Sequence, residues 1–99
     1  MFYRVVLKQD AHRELDVLPH TQKILVFKQL KKLSNSPQLG VDLGNKAGID
    51  LSGHKKMYVD KKKIRIVYRI IESEVIVEVI AIGKRENRKV YEEANKRKS

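Results

Sequence analysis

Two strands predicted in succession constrain the fold of this chain more than any other feature. The first, residues 64–71, alternates with a period of two, and β-branched residues dominate it. Glu72-Ser73-Glu74 then turns the chain, and residues 75–82 form a nearly continuous apolar run. Such a run is typical of a central strand covered on both faces, so this hairpin needs further strands and a covering layer.

The preceding segment predicts a third strand. Met57 and Val59 are expected to point inward, whereas His54, Lys56 and Tyr58 point outward. Residues 60–63, Asp-Lys-Lys-Lys, form the hairpin turn that leads into the next strand. Residues 2–8 also alternate and predict a strand at the N-terminus.

Two helices and a long connection separate the N-terminal strand from the others. Asp10 is a candidate helix cap, and Pro19 ends the first helix and opens a second over residues 20–33. Val26, Phe27, Leu30 and Leu33 are expected to form its apolar stripe. Residues 34–53 carry four glycines and read as an ordered loop held by Leu39, Val41, Leu43, Ile49 and Leu51.

The order of elements predicts an α+β domain spanning residues 1–99: an N-terminal strand, a helical hairpin, a three-strand antiparallel meander and a short C-terminal helix. We expect the helical hairpin to cover one face of the sheet. The other face should be open and should carry Lys56, Tyr58, Arg65 and Arg69. The last helix, within residues 86–97, has few apolar residues and is expected to be loosely held.

The charge of the chain favours polyanionic partners. The net charge is +10, and seven of these ten charges lie in residues 51–99. Nucleic acid, an acidic protein segment and an anionic membrane are the ligands that such a field attracts. The chain contains no cysteine, and we find neither a signal-peptide pattern nor an apolar run long enough to span a bilayer. We therefore expect no membrane association and a cytoplasmic location.

The stretch Ala81-Ile82-Gly83-Lys84-Arg85-Glu86-Asn87-Arg88-Lys89-Val90-Tyr91 combines a strand end with basic residues and one tyrosine. Arginine binds phosphate oxygens through a planar fork, and a tyrosine ring can stack on a base. At a sheet edge, such a set is suited to grip an RNA backbone and to cut it. A solvated C-terminal turn is the alternative.

Three segments resemble the RelE branch of the RelE/ParE toxin superfamily: residues 63–70 (KIRIVYRI), residues 75–83 with Lys84-Arg85, and Val90-Tyr91 with the tail that follows. The resemblance covers essentially the whole chain, and it is generic through the helices. It implies a toxin of a type II toxin–antitoxin pair, in the cytoplasm of a bacterium or archaeon. RelE-type toxins enter the ribosomal A site and cleave mRNA by 2′-hydroxyl attack, without a metal or other cofactor. The implied partners are a cognate antitoxin in a hetero-oligomer, the ribosome and mRNA.

The resemblance also implies the catalytic residues. Arg65 corresponds to the arginine that grips the scissile phosphate, and Arg85 to the arginine that stabilises charge or protonates the leaving group. Tyr91 corresponds to a tyrosine that stacks or transfers a proton, and Lys56 to the first of two strand lysines. Tyr58 occupies the position of the second lysine, which is a departure from the family.

This departure leaves the general base open. Lys55, Lys61 or Lys62 is expected to supply the missing charge, or Tyr58 or His54 to take over proton transfer. Lys84 is a further candidate for catalysis or substrate binding. Candidate contacts to mRNA or ribosomal RNA are Lys61, Lys62, Lys63, Arg69, Arg88 and Lys89.

Two other functions remain open at this stage. A ParE-like DNA gyrase poison would have the same fold without nuclease activity, although that branch generally lacks the paired arginine and tyrosine. A basic RNA- or protein-binding module with a degenerate site is the third candidate, and the missing lysine supports it.

Overall fold

The central sheet has five strands and carries Lys56, Tyr58 and Arg65 of the candidate site. The computed structural model describes residues 2–46, 49–84 and 89–97. The strands are β1 (Arg4–Leu7), β2 (Val41–Asp42), β3 (Asn45–Lys46), β4 (Ile49–Asp50), β5 (His54–Val59), β6 (Ile64–Ile71) and β7 (Ile76–Lys84). The helices are α1 (Gln9–Asp16), α2 (His20–Asn35) and α3 (Lys89–Arg97), with short 3-10 turns at Pro37–Leu39 and Glu72–Glu74.

The strands of the sheet lie in the order β1-β7-β6-β5-β2, and β3 and β4 form a separate two-stranded ribbon. β1 runs parallel to β7, whereas the other neighbours in the sheet are antiparallel. This arrangement confirms the predicted α+β class and the meander of β5, β6 and β7. The four small elements between residues 37 and 50 lie in the predicted loop.

The helical hairpin covers one face of the sheet, as predicted. The buried core between the hairpin and the sheet includes Val26, Leu30 and Leu33 of α2 and Ile64, Ile66 and Tyr68 of β6. Phe27 was wrongly assigned to the buried stripe, because 57% of its surface is exposed. The buried positions follow one another by four and then three residues, and the next residue along a helix is rotated by about 100°. Phe27 therefore lies at the flank of the helix, where it lines a cleft of about 430 Å³ beside β1.

The opposite face is only partly open, which corrects the prediction of an open basic surface. A second apolar cluster covers part of it, formed by Leu43, Leu51, Val67, Ile80, Ala81, Tyr91 and Ala94. A register shift between β6 and β7 at Val67/Tyr68 places Ile80 and Ala81 in this same cluster. The shift therefore enlarges the apolar surface against which α3 packs. Helix α3 is buried through Tyr91 and Ala94, so the expectation of a loosely held helix was wrong.

The connection before β5 is fixed by Tyr68. Its hydroxyl donates a hydrogen bond to the Pro37 carbonyl (2.7 Å) and accepts one from the Gly40 amide (2.9 Å). A Cβ on Gly40 would lie 2.7 Å from the Lys56 carbonyl oxygen, so only glycine fits there. Leu43 and Leu51 are buried as predicted, whereas Leu39 and Val41 are more than half exposed.

The start of α1 differs from the prediction. Lys8 is the N-cap, and Asp10 lies in the first helical turn, where it pairs with Arg13 at 3.3 Å. Within the described part of the chain, no helix is both long enough and apolar enough to cross a membrane.

Candidate active site

The guanidinium group of Arg65 lies between two tyrosine rings. Its central carbon is 4.7 Å from the centre of the Tyr91 ring and 5.5 Å from that of Tyr58. Tyr58 is the direct cross-strand neighbour of Arg65, which in turn faces Gly83 on β7. Tyr91 approaches from α3, which packs on this face. Cation–π attraction and packing hold the arginine head in one orientation.

Two polar atoms in this group are buried and have no hydrogen-bond partner among the described residues: Nε of Arg65 and the hydroxyl of Tyr91. Tyr91 is only 5% exposed. Leaving a buried polar group unpaired costs about 1–3 kcal/mol, so proteins rarely tolerate it without a functional reason. Both groups can donate a hydrogen bond.

Lys56 lies beside the same rings and is held as a cation. Its ammonium group donates a hydrogen bond to the Tyr58 hydroxyl at 3.0 Å. This hydrogen bond raises the pKa of Lys56 above the usual lysine value; burial opposes the rise, and the nearby Tyr91 hydroxyl adds to it. The contact between Lys56 and Tyr91 does not meet hydrogen-bond geometry. Lys56 therefore carries its proton at neutral pH and is suited to stabilise charge rather than to accept a proton.

The structure separates the candidates for the missing second charge. Lys62 approaches the site, because its ammonium group lies 5.8 Å from the centre of the Tyr58 ring. Lys55 does not: it follows the alternation of β5 onto the opposite face and pairs with Asp42 at 2.7 Å. Lys61 and Lys63 are exposed in the turn beyond.

His54 was expected to point outward into solvent, but it is buried. The loop before β5 covers this residue. The His54 amide donates a hydrogen bond to the Leu51 carbonyl, and the His54 carbonyl accepts one from the Leu43 amide. His54 pairs with Arg69 in the sheet, four residues along β5 from Tyr58. That spacing corresponds to about 13 Å, so His54 lies away from the tyrosine pair.

The remaining predicted residues lie outside this group or outside the described residues. Arg69 shares the face of Arg65, but its charge is already partnered by Glu78 at 2.7 Å. Lys84 pairs with Ile64, whose side chain is in the helix-covered core, so alternation directs Lys84 to that face. Arg85 and Arg88 lie outside the described residues, as does the side chain of Lys89. Their roles stay predictions.

Glu14 and Arg97 were not singled out by the sequence analysis, although their ion pair (2.8 Å) anchors α3 beside the site. The two residues are 83 positions apart, and no local pattern signals such a pair. Among the described residues, no three histidine or acidic side chains converge in a way that would suit a metal ion.

Comparison with known proteins places these residues in a family. No protein-family model matches the sequence. The mRNA interferase toxin RelE of Escherichia coli K12 is 34% identical over 100 residues, covering 98% of each chain. The free structure of an E. coli RelE mutant superposes with a TM-score of 0.77 at 30% identity and 98% coverage of both chains. The toxin in the intact E. coli RelBE toxin–antitoxin complex gives a TM-score of 0.69 at 28% identity, covering 86% of this chain and 99% of its own. The resemblance to the RelE branch inferred from the sequence is thereby confirmed, and the chain belongs to the RelE family of toxins.

Proposed function

We propose that this chain is the toxin of a type II toxin–antitoxin pair and that it cleaves mRNA on the ribosome. The observation that carries the proposal is Arg65, fixed between two tyrosine rings with its buried Nε and the buried Tyr91 hydroxyl both unpartnered among the described residues. The relatives named as an mRNA interferase and as part of a toxin–antitoxin complex support the same activity.

The proposed reaction is attack of a ribose 2′-hydroxyl on the adjacent phosphorus. The 2′-oxygen loses its proton and bonds to phosphorus, the bond to the 5′-oxygen breaks, and that oxygen takes up a proton. The products are a 2′,3′-cyclic phosphate and a 5′-hydroxyl. Negative charge grows on the non-bridging oxygens, where Arg65 and Lys56 would stabilise it; the loss of one such donor costs about 3–4 kcal/mol.

Tyr58 is the residue we propose as the proton acceptor. Lys56 is held protonated by its hydrogen bond to Tyr58, so it is a poor acceptor at neutral pH. Negative charge on the Tyr58 oxygen would be stabilised by Lys56 at 3.0 Å and by Lys62 and Arg65 close to the ring. Tyr91, with Arg85 from the sequence motif, would return a proton to the leaving oxygen.

The basic turn and the lysines of α2 support a ribosomal setting. Lys61, Lys62 and Lys63 end the β5–β6 hairpin next to the site, and Lys28, Lys31 and Lys32 are exposed on α2. Contacts between such side chains and phosphates are electrostatic and make binding dependent on salt. A cytoplasmic location follows from this function, as does an antitoxin that covers the basic surface.

Primer extension on an mRNA translated in a purified system tests the proposal. We expect in-frame cuts that require ribosomes and that disappear with Arg65→Gln and with Arg85→Ala. Arg4→Gln is the matched control, because Arg4 is an exposed strand arginine that pairs with Ile76, at the opposite end of β7 from Gly83. Intact mRNA in the presence of a toxic wild-type protein would refute the proposal, and breaks in DNA that depend on gyrase would then support the ParE-like alternative.

A further inference from the structure

Strand β7 extends beyond its neighbour β1. β1 pairs only with Ile76–Val79, and the last bond on that side runs from the Lys8 amide to the Val79 carbonyl. Beyond Val79, no strand of the described residues pairs with the backbone groups of β7 on this edge. Ile80 and Ile82 are buried, and their carbonyl and amide groups need partners from elsewhere.

Two charged side chains from different helices supply those partners. Glu14 of α1 accepts a hydrogen bond from the Ile82 amide at 3.1 Å. Arg97, at the end of α3, donates one to the Ile80 carbonyl at 3.1 Å. The two terminal nitrogens of the Arg97 guanidinium group also donate hydrogen bonds to the two Glu14 carboxylate oxygens, at 2.8 and 3.3 Å. One ion pair therefore completes the free edge of β7 and joins it to both helices.

Further contacts anchor the end of α3 at the same point. Only 13% of the Arg97 side chain is exposed, and Asp10 of α1 lies 3.5 Å from one of its nitrogens. Glu93, 3.2 Å from another nitrogen, is on α3 itself and therefore does not join the helix to the rest of the protein. The Lys8 ammonium donates to the Arg97 carbonyl oxygen at 2.6 Å. The Glu14 carboxylate differs from the other two acids because it alone of the three also bonds to β7.

Along α3, Tyr91, Ala94 and Arg97 recur at intervals of three residues and all contact the body of the protein. Tyr91 and Arg97 are six residues apart, about 9 Å along a helix. We propose that the Glu14–Arg97 ion pair is a positioning clamp: it fixes the axial position of α3 and so holds the Tyr91 ring and hydroxyl against Arg65.

A fixed position of Tyr91 matters if its hydroxyl takes part in the proposed cleavage. Among the described side chains of α3, Tyr91 and Ala94 belong to the apolar cluster, and the small alanine side chain offers little resistance to movement of the helix along its axis. A displacement of about 1 Å at a reacting group can reduce a rate by about 10²-fold. Glu14 and Arg97 thus act through Tyr91 and touch no substrate, and this role rests on the proposed RNA cleavage.

Single-turnover cleavage on programmed ribosomes tests the clamp. We expect Glu14→Gln to lower the maximal rate about 10- to 100-fold, with less than a threefold change in the concentration for half-maximal rate. Arg97→Lys, which keeps the charge but loses the fork, should fall between this variant and wild type. In a Tyr91→Phe background, Glu14→Gln should add little further loss, since both changes affect the same group.

Two substitutions serve as controls. Glu93→Gln removes another carboxylate from Arg97 without breaking a bond to β7, and Asp16→Asn removes a negative charge from the exposed end of α1. Both should cleave like wild type. If Glu93→Gln slows cleavage as much as Glu14→Gln does, the local charge balance rather than the clamp matters, and the proposal is wrong.

A structural measurement separates failure of the clamp from failure of the proposed function. Protons on the Arg65 side chain lie close to the Tyr91 ring and should show ring-current shifts in NMR spectra. We expect Glu14→Gln to reduce these shifts in an otherwise folded protein and Glu93→Gln to keep them. Unchanged shifts and rates in Glu14→Gln overturn the clamp, whereas a wild type that cuts no mRNA but shows the expected shift changes overturns only the proposed function.

Discussion

Replacing Tyr91 by phenylalanine should make the protein more stable and less active. The hydroxyl is buried and has no hydrogen-bond partner among the described residues. An unpaired buried hydroxyl costs about 1–3 kcal/mol, and the nearby Lys56 ammonium offsets part of that cost. The ring packing is kept in phenylalanine, so we expect a gain of about 1 kcal/mol, or about 4–8 °C in Tm for a domain of this size.

Activity should change in the opposite direction. If the hydroxyl transfers a proton to the leaving oxygen, its loss should slow cleavage by about 10²–10⁴-fold. Urea unfolding followed by circular dichroism measures the stability, and single-turnover cleavage of ribosome-bound mRNA measures the rate. Tyr3→Phe is the control, because the Tyr3 hydroxyl is paired with Glu72 at the surface and lies outside the site. It should show no gain in stability and no loss of rate.

Two results would refute this reasoning. A Tyr91→Phe protein that is less stable than wild type would mean that the hydroxyl has a partner in solution, with Lys56 the nearest candidate. A more stable protein with the wild-type rate would mean that the ring acts by stacking alone.

The other predictions concern the loop before β5 and the base. Tyr58→Phe should slow cleavage about 10²–10⁴-fold, and Tyr58→Lys should recover part of the rate in the same assay, because a lysine restores the family's charge. Gly40→Ala should destabilise the protein by about 1–3 kcal/mol in urea unfolding, since its Cβ would clash with Lys56 and Tyr68. Burial raises the pKa of Tyr68, opposed by its hydrogen bond from Gly40. The folded state thus favours the neutral phenol, so its contribution to stability is complete below about pH 10 and is lost as the pH rises further. Tyr68→Phe should remove that part of the alkaline loss.

The meander could be predicted from sequence because its signal is local. In β6, Ile64, Ile66, Tyr68 and Ile70 alternate with Arg65, Val67, Arg69 and Ile71, and the period of two fixes both the strand and the faces of Arg65 and Tyr68. Cross-strand pairing then makes Tyr58 and Arg65 neighbours once the hairpin turn is placed. These are the parts of the site that a period of two determines.

The rest of the site depends on contacts between distant segments. Nothing near Tyr91 indicates that its helix folds back onto β6, and nothing near Glu14 indicates its bond to Ile82. The burial of His54 depends on a loop that folds over β5. The exposure of Phe27 depends on its place at the flank of α2, beside the buried stripe. The apolar run of β7 does not indicate the register shift that brings Ile80 and Ala81 into one cluster. Such features arise from tertiary packing, which a single sequence does not encode in any local pattern.

The turn between β5 and β6 places lysine side chains on a strained backbone. Asp60, Lys61 and Lys62 all have positive φ, between 52° and 70°, and the Lys63 amide closes the turn on the Asp60 carbonyl. Glycine or asparagine is preferred at the centre of such a turn, and lysine there is strained by about 1–2 kcal/mol per residue. A more stable hairpin is therefore within reach of single substitutions, so selection for stability alone would be expected to remove these lysines. Lys61 and Lys62 therefore keep cationic charge at the tip of the hairpin at a cost in backbone strain.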